Sequence, residues 1–249
     1  MMKSKGIFIT GTGTDVGKTV ITAGLMRAAK WEGLSPIVAK PIQTGCELVD
    51  GQLTAPDMDV YDDAGQSLPP EQEALACRYR FAPACSPHLA AELADEPIDL
   101  NAICNDLQQL SEQTDMLIVE GAGGLLVPTS ETEKIETLAM LLDWPVIVVA
   151  DNTLGVINHT LLTLDSLTHS DLICAGVILT ETTPRTDENR FIREDNAKVI
   201  RERGTLVLAQ VPYIEPRHTG DDFWKRVDAA LITPGPISTL RALTQGDRP

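Results

Sequence analysis

The sequence has few basic residues. Its 249 residues include 20 Lys and Arg against 36 Asp and Glu, which gives a formal net charge of −16. Nucleic acids and anionic membranes are bound through basic patches. A chain this acidic is therefore not expected to have either as its main partner, although a polyanion can still bind where the local site is positive.

Paired cysteines and long apolar runs are also missing. The five cysteines, at positions 46, 77, 85, 104 and 174, form no Cys-x-x-Cys pair, and their odd number favours reduced thiols over a disulfide framework. The longest apolar runs are too short to cross a bilayer. Because the chain opens MMKSK and enters a strand at once, we expect no signal peptide, and hence a cytoplasmic protein.

The sequence does contain short apolar strands that alternate with helices. Strands are predicted at 6–10, 35–40, 116–119, 145–150, 174–180 and 205–210, and helices at 20–32, 71–80, 86–95, 100–114, 135–142, 158–167 and 191–203. Strands that are apolar along their whole length indicate a parallel sheet with helices on both faces. We predict one α/β domain over residues 1–249 with a core at about 6–215 and an irregular stretch at 43–68. The tail after Tyr213, with 216–249 beyond the core, is predicted to be less regular, and its Gly and Pro residues near 234–236 indicate a loosely held end.

A glycine-rich loop joins the first strand to the first helix in the stretch FITGTGTDVGKTVIT. It ends in the triplet Gly-Lys-Thr at 17–19, but the usual P-loop spacing places Thr12 where a glycine is expected, and Gly11 lies one residue further away. The N–H groups of such a loop wrap a β-phosphate. Lys18 is expected to reach the β- and γ-phosphates and Thr19 to bind Mg²⁺, which makes the predicted domain P-loop NTPase-like.

Lys40 lies at the end of the second predicted strand. α/β sheets place their site residues at this edge, and Lys40 is followed by Pro41 and by Gln-Thr-Gly at 43–45. We interpret Lys40 as a cation beside the γ-phosphate rather than as a solvated lysine at the end of a strand.

Two carboxylates are expected to complete this site. Glu120 follows the apolar run MLIV directly, in the position of a Walker-B acid, and the glycines after it let a ligand approach the backbone. The second carboxylate belongs to the loop APDMDVYDD. The residues alone do not choose among its four aspartates, Asp57, Asp59, Asp62 and Asp63.

Six stretches resemble, in order along the chain, the motifs of the dethiobiotin synthetase family: GTGTDVGKT, AKPIQTG, the dipeptide PD, FAPACSPHLAA, VEGAGGLLVP and PVIVVADNTLGVINHTLLT. The resemblance covers roughly residues 6–215, and the shifted P-loop is the form that this family uses. The family acts in biotin biosynthesis. It builds the ureido ring of dethiobiotin from 7,8-diaminononanoate, CO₂ or bicarbonate and ATP, with Mg²⁺, through a carbamic–phosphoric anhydride, and releases ADP and phosphate.

This resemblance implies roles for individual residues. Lys18 and Lys40 would be catalytic and stabilise the carbamate and phosphoryl oxygens, and Thr44 would contact the diamine. Thr19, Asp57 and Glu120 would bind Mg²⁺, because the family's loop acid aligns with Asp57. The nucleotide would be bound by Thr14, Asp15, Val16, Gly17, Lys18, Thr19, Val20, Asp57, Glu120, Gly121, Ala122, Gly123, Thr180, Glu181, Ala209, Gln210, Val211 and Glu215.

The resemblance also implies a homodimer with substrate at the interface. In the family, N–H groups at a helix start bind the diaminononanoate carboxylate of the neighbouring subunit; the matching residues are Gly155, Val156, Ile157 and Asn158.

The chain departs from the family at several positions. Asp15 lies where the family often has Glu, Glu215 lies one residue early, and Thr180-Glu181 replaces an Asn-Asp pair of many members. The Asn of this pair reads adenine in those members, and because Thr180 lacks the amide's paired donor and acceptor we expect weak base selectivity. Phe191 falls where some members supply a Tyr hydroxyl to the substrate carboxylate.

Three alternatives compete with this interpretation. An amidoligase of the cobyrinate-diamide type shares a similar loop but normally carries a glutaminase domain, for which this chain has no room. A partitioning ATPase carries a signature Lys where this chain has Gly13, and it usually binds DNA or membrane, which the charge of −16 disfavours. A nucleotide-binding module without chemistry would not need Lys40 and Thr44.

Overall fold

The structure is a computed structural model that describes residues 6–215, 220–232 and 236–244. The strands are β1 (Gly6–Gly11), β2 (Pro36–Ala39), β3 (Ile42–Thr44), β4 (Glu47–Val49), β5 (Gln52–Thr54), β6 (Tyr79–Phe81), β7 (Met116–Gly124), β8 (Val146–Asp151), β9 (Cys174–Thr180) and β10 (Val207–Val211). Six of these strands form one fully parallel sheet among the described residues, in the order β10-β9-β8-β1-β7-β2. The prediction of a parallel α/β sheet is confirmed.

The helices are α1 (Lys18–Trp31), α2 (Pro56–Asp63), α3 (Pro70–Ala76), α4 (Pro87–Ala94), α5 (Leu100–Glu112), α6 (Ile135–Leu142), α7 (Val156–His169), α8 (Asp187–Glu202), α9 (Asp221–Leu231) and α10 (Pro236–Thr244). Crossovers between parallel strands are right-handed, so helices that connect strands in opposite directions along the sheet cover opposite faces. The connection from β1 to β2 runs one way, and those from β7 through β8 and β9 to β10 run the other way. Helix α1 therefore lies on one face and α6, α7 and α8 on the other.

The central strands are buried because both faces of the sheet are covered. The side chains of Ile7, Phe8 and Ile9 in β1 are inaccessible to solvent, as are Val146–Ala150 in β8. This is the reason that these strands read as unbroken apolar runs rather than as alternating patterns. Within the described part of the chain, no helix combines the length and the apolar character needed to cross a bilayer.

The prediction of an irregular stretch at 43–68 is wrong. This segment contains β4, β5 and helix α2, and it includes most of β3, which pairs in parallel with β6. The predicted helix at 71–80 ends at Ala76, and the following residues form β6. Strands of three residues are too short to show a period, and α2 buries only Met58 and Tyr61.

The tail after Tyr213, predicted to be less regular, contains two helices among its described residues. Helices α9 and α10 pack on the α1 side of the sheet and bury Phe223, Trp224, Val227, Leu231, Ile237 and Leu240. The Pro-Gly pair at 234–235, on which the prediction of a loosely held end depended, lies outside the described residues. These helices complete the core on that face.

Candidate active site

The glycine-rich loop turns sharply between β1 and α1. A Cβ on Gly11 would lie 2.8 Å from Val16 Cγ2 and 2.9 Å from Gly13 O, so a side chain at this position would prevent the loop from closing. Gly17 caps α1 with φ of 88°, in the left-handed region. Glycine is thus required one residue before the usual first position of the motif, which explains the shifted spacing.

Lys18 is the first residue of α1, two positions before the predicted helix start. Its ammonium group donates a hydrogen bond to Gly13 O at 2.8 Å, across the mouth of the loop. Burial lowers the pKa of Lys18 to about 8, although Glu120 opposes that shift. A phosphate bound in the loop would favour the charged form, because an opposite charge within a few ångströms stabilises the ammonium.

Lys40, Glu120 and Asp57 form one cluster beside this loop. Lys40 Nζ lies 2.5 Å from Glu120 Oε1 and 2.8 Å from Asp57 Oδ2. Burial alone would lower the pKa of Lys40, but the two carboxylates outweigh burial and raise it above its ordinary value. Lys40 is therefore a permanent cation, and Asp57 is the loop aspartate that reaches it.

Glu120 connects the cluster to the loop. It is 1% exposed, and its Oε1 accepts a hydrogen bond from Thr19 Oγ1 at 3.2 Å. The other oxygen, Oε2, accepts a hydrogen bond from the buried Tyr61 hydroxyl at 2.6 Å. Burial, followed by the charge of Glu120, raises the pKa of Tyr61, which keeps this phenol protonated.

Tyr61 was missed by the sequence analysis. The signal that identifies it is its spacing of four residues from Asp57, which places both side chains on one face of α2. This signal has meaning only once the segment is known to be helical.

The polar side-chain atoms of Thr180 and Glu181, at the end of β9, are hydrogen-bonded or ion-paired to other residues of the chain. Thr180 Oγ1 lies 2.7 Å from Val16 O, to which it donates, and so ties β9 to the loop. Glu181 pairs with Arg193 at 2.7 Å and also with Arg185. Their polar atoms are thus bonded to the loop, to Arg185 before α8 and to Arg193 within α8.

A cavity of about 920 Å³ runs along the carboxyl ends of the strands. Most of the predicted residues line it: Thr14, Asp15, Gly17, Lys18, Thr19, Val20, Lys40, Thr44, Asp57, Glu120, Ala122, Gly123, Thr180, Glu181 and Val211. Residues that sequence analysis did not propose also line it: Gln43, Ala84, Cys85, Ser86, Pro87, Val127, Thr182, Pro212, Tyr213, Ile214 and Phe223 among them. Five predicted nucleotide contacts do not: Val16, Gly121, Ala209, Gln210 and Glu215.

The predicted carboxylate-binding residues lie outside this cavity. Gly155 caps α7 with φ of 98°, and Gly155 and Asn158 are exposed. Phe191 is 67% exposed on α8. The start of α7 is therefore not part of the lining of the chain's own cavity.

The oxygen atoms around the loop suit Mg²⁺. Among the described residues no cluster of three or more His, Cys, Asp or Glu side chains forms a complete metal site. However, Mg²⁺ bound with a nucleotide usually takes one or two carboxylates, with phosphate and water oxygens as its remaining ligands. Glu120, Asp57 and the Thr19 hydroxyl, all adjoining one cavity, are donors of this kind.

Solved structures with the same fold show low sequence identity to this chain. The MinD cell division protein of Aquifex aeolicus aligns over 98% of this chain and 99% of its own, with a TM-score of 0.54 and 14% identity. A ParA family ATPase from Chlorobium tepidum aligns over 97% of both chains, with a TM-score of 0.53 and 13% identity. These similarities establish the fold alone.

Sequence relatives identify the family. Residues 5–218 match a family model described as an AAA domain. The ATP-dependent dethiobiotin synthetase BioD of Anoxybacillus flavithermus is 36% identical over 84% of this chain and 92% of its own length. The protein of the same name from Pseudomonas aeruginosa is 37% identical over 84% of this chain and 90% of its own. The chain therefore belongs to the ATP-dependent dethiobiotin synthetase family of enzymes.

Proposed function

We propose that this protein makes dethiobiotin from 7,8-diaminononanoate, CO₂ and ATP, and releases ADP and phosphate. The observation that carries the proposal is the Lys40–Glu120–Asp57 cluster, which shares one cavity with the phosphate-binding loop and Lys18. Two lysines are thus available where a γ-phosphate and a carbamate bring negative charge together. Fixed charges aimed at such a centre stabilise its transition state.

The reaction needs the protein mainly to position and neutralise charge. One amine of the substrate must be neutral to attack CO₂; two neighbouring ammonium groups repel, so one loses its proton more easily than an isolated amine. The new N–C bond gives a carbamate, and a proton goes to solvent. A carbamate oxygen then attacks the γ-phosphorus as the bond to ADP breaks. The second amine attacks the carbamate carbon, closes the ring and expels phosphate with loss of a proton.

Each side chain of the site has a role in this scheme. N–H groups of the loop hold the phosphates, Lys18 neutralises the β- and γ-phosphate oxygens, and Lys40 stabilises the carbamate and the transferred phosphoryl group. Thr44 lines the same cavity as Lys40 and would contact the diamine. Thr19, Asp57 and Glu120 would hold Mg²⁺, which when bound neutralises charge on the phosphates.

The substrate carboxylate requires a second subunit in this proposal. The start of α7, where Gly155 and Asn158 are exposed, has backbone N–H groups at a helix N-terminus, where an anion is favoured. We therefore propose a homodimer in which Gly155–Asn158 of each chain complete the other's site, with Phe191 contributing no hydroxyl. Sedimentation equilibrium, with and without the diamine, measures this association.

The test of the function is phosphate release with ATP, Mg²⁺, bicarbonate and 7,8-diaminononanoate, with each omitted in turn, and mass spectrometry of the product. Phosphate release that needs both the diamine and bicarbonate, together with a product of the mass of dethiobiotin, supports the proposal. Release that continues at the same rate without the diamine would show an ATPase of another purpose.

Replacing Thr180 with valine should weaken ATP binding. The change keeps the shape of the side chain but removes the hydroxyl that bonds to Val16 O. A hydrogen bond of this kind contributes about 1 kcal/mol, so we expect roughly a fivefold higher KM for ATP with kcat nearly unchanged. Thr163→Val is the matched control, because its hydroxyl bonds to His159 O on an exposed helix face. An equal KM in both variants would contradict a role for Thr180 in holding the loop.

A further inference from the structure

The two oxygens of the Glu120 carboxylate have different partners. Oε1 receives Lys40 Nζ at 2.5 Å and Thr19 Oγ1 at 3.2 Å, on the side of the phosphate-binding loop. Oε2 receives only the Tyr61 hydroxyl among its hydrogen bonds to described residues, at 2.6 Å. A glutamate carboxylate that is hydrogen-bonded through only one of its oxygens can rotate about χ3, because this terminal sp³–sp² torsion has a broad distribution of angles. The Tyr61 bond removes that freedom and keeps Oε1 directed at Thr19 and Lys40.

Tyr61 is itself held on a fixed helix. It is fully buried, and it lies one turn after Asp57 on α2, so one helix face brings the second carboxylate to Lys40 and the phenol to Glu120. The end of α2 is fastened from outside the site: Trp224 Nε1 donates to Asp63 Oδ2 at 2.7 Å, and Arg27 Nη1 donates to Ala64 O at 3.1 Å.

The segment after α2 is fastened as well. The Gln66 side chain bonds to both backbone groups of Val38 in the edge strand β2, at 2.8 and 3.2 Å. Because both the helix end and the residues after it are attached to neighbouring elements, the phenol of Tyr61 has a defined position relative to Glu120.

We propose that Tyr61 is a positioning residue for the reaction, which orients Glu120 as a metal ligand. This inference rests on the proposed function for its effect on turnover, but its effect on metal affinity does not depend on which substrate is used. Groups that hydrogen-bond to metal ligands typically change metal affinity or activity by about 10- to 100-fold when they are removed.

The test is Tyr61→Phe, which removes one oxygen atom and keeps the ring in the core. Electron paramagnetic resonance of Mn²⁺ titrated into the protein with ADP gives the metal dissociation constant, and we expect it to rise about 10-fold or more. In the complete reaction we expect kcat to fall by a similar factor, with the KM for the diamine unchanged.

Tyr79→Phe is the matched control. Tyr79 is also a buried tyrosine whose hydroxyl forms a hydrogen bond, but this hydroxyl accepts from Asp99 N and lies outside the cavity. Thermal unfolding followed by circular dichroism establishes that both variants are folded at the assay temperature. The control should retain the Mn²⁺ affinity of the unaltered protein even where its stability falls.

The possible results separate the inference from the function. An Mn²⁺ affinity of Tyr61→Phe within twofold of the unaltered protein, or a loss shared equally by Tyr79→Phe, would overturn the positioning role. Failure of the unaltered protein to bind Mn²⁺ with ADP would overturn it too. If the unaltered protein binds Mn²⁺ and ADP but forms no dethiobiotin, the proposed function fails, and the metal affinities alone decide the role of Tyr61.

Discussion

Lys40→Ala should lower the rate of dethiobiotin formation by about 100- to 1,000-fold, as the loss of one preorganised electrostatic group in a catalytic site commonly does. The reason is the position of this ammonium group, which is 5% exposed and fixed between two carboxylates at the end of β2. No other described lysine is held in this cluster with Glu120 and Asp57. The measurement is single-turnover formation of dethiobiotin, followed by mass spectrometry.

The matched control for this prediction is Lys198→Ala. Lys198 pairs only loosely with Glu202, at 3.8 Å on the exposed face of α8, and its loss should leave the rate unchanged. Because Lys40→Ala leaves Glu120 and Asp57 without their shared cation, its melting temperature must be measured first, and rates compared where the variant is folded. A folded Lys40→Ala protein that turns over within threefold of the unaltered rate would contradict a catalytic role.

Trp224→Ala should lower the free energy of unfolding by about 3–5 kcal/mol, the usual cost of truncating a large buried aromatic side chain. Trp224 is 2% exposed, packs edge-on against Phe223 with ring centroids 4.9 Å apart, and donates its indole N–H to Asp63. The Arg27 guanidinium also lies 5.7 Å from the ring centroid. Urea unfolding followed by circular dichroism at 222 nm, a standard far-ultraviolet probe, measures the change.

Trp31→Ala is the matched control for this prediction, because Trp31 is 70% exposed at the end of α1. Trp31→Ala should change the free energy of unfolding by no more than about 0.5 kcal/mol, as surface substitutions usually do. Equal effects of the two substitutions would mean that α9 is not part of the cooperative core. Because Trp224 also bonds to α2, we expect the folded fraction of Trp224→Ala to show weaker activity as well.

Local sequence patterns were sufficient to predict the strands that are apolar along their length and the helices whose ends are clearly marked. Apolar runs predicted the six central strands, because a strand covered on both faces needs no polar positions. Helix α6 was predicted with its observed bounds, and α5 with its observed start, which the Asp99 side chain caps through the N–H groups of Asn101 and Ala102. The sequence could also show the phosphate-binding loop, since its Gly-Lys-Thr triplet lies between a strand and a helix.

Errors arose where elements are short or where packing is distant in sequence. Helix α2 has eight residues with four aspartates, and its pattern resembles that of an acidic loop until Tyr61 is seen to enter the core. Helix α9 has a clear apolar face, but its partners belong to α1, about 200 residues earlier, as the pairing of Arg27 with Asp228 shows. Short-range patterns carry no information about such partners.

The sequence by itself determined that this chain folds as a parallel α/β domain with a phosphate-binding loop, because strand hydrophobicity and loop glycines are local requirements of the backbone. Its motifs also indicated the family, which the sequence relatives then established. The family resemblance pointed to Asp57, but only the tertiary structure showed that this aspartate reaches Lys40, that Tyr61 hydrogen-bonds to Glu120, and that α9 and α10 complete the core. Each of these depends on contacts between residues far apart in the chain, and such contacts exist only after the sheet has brought its strand ends together.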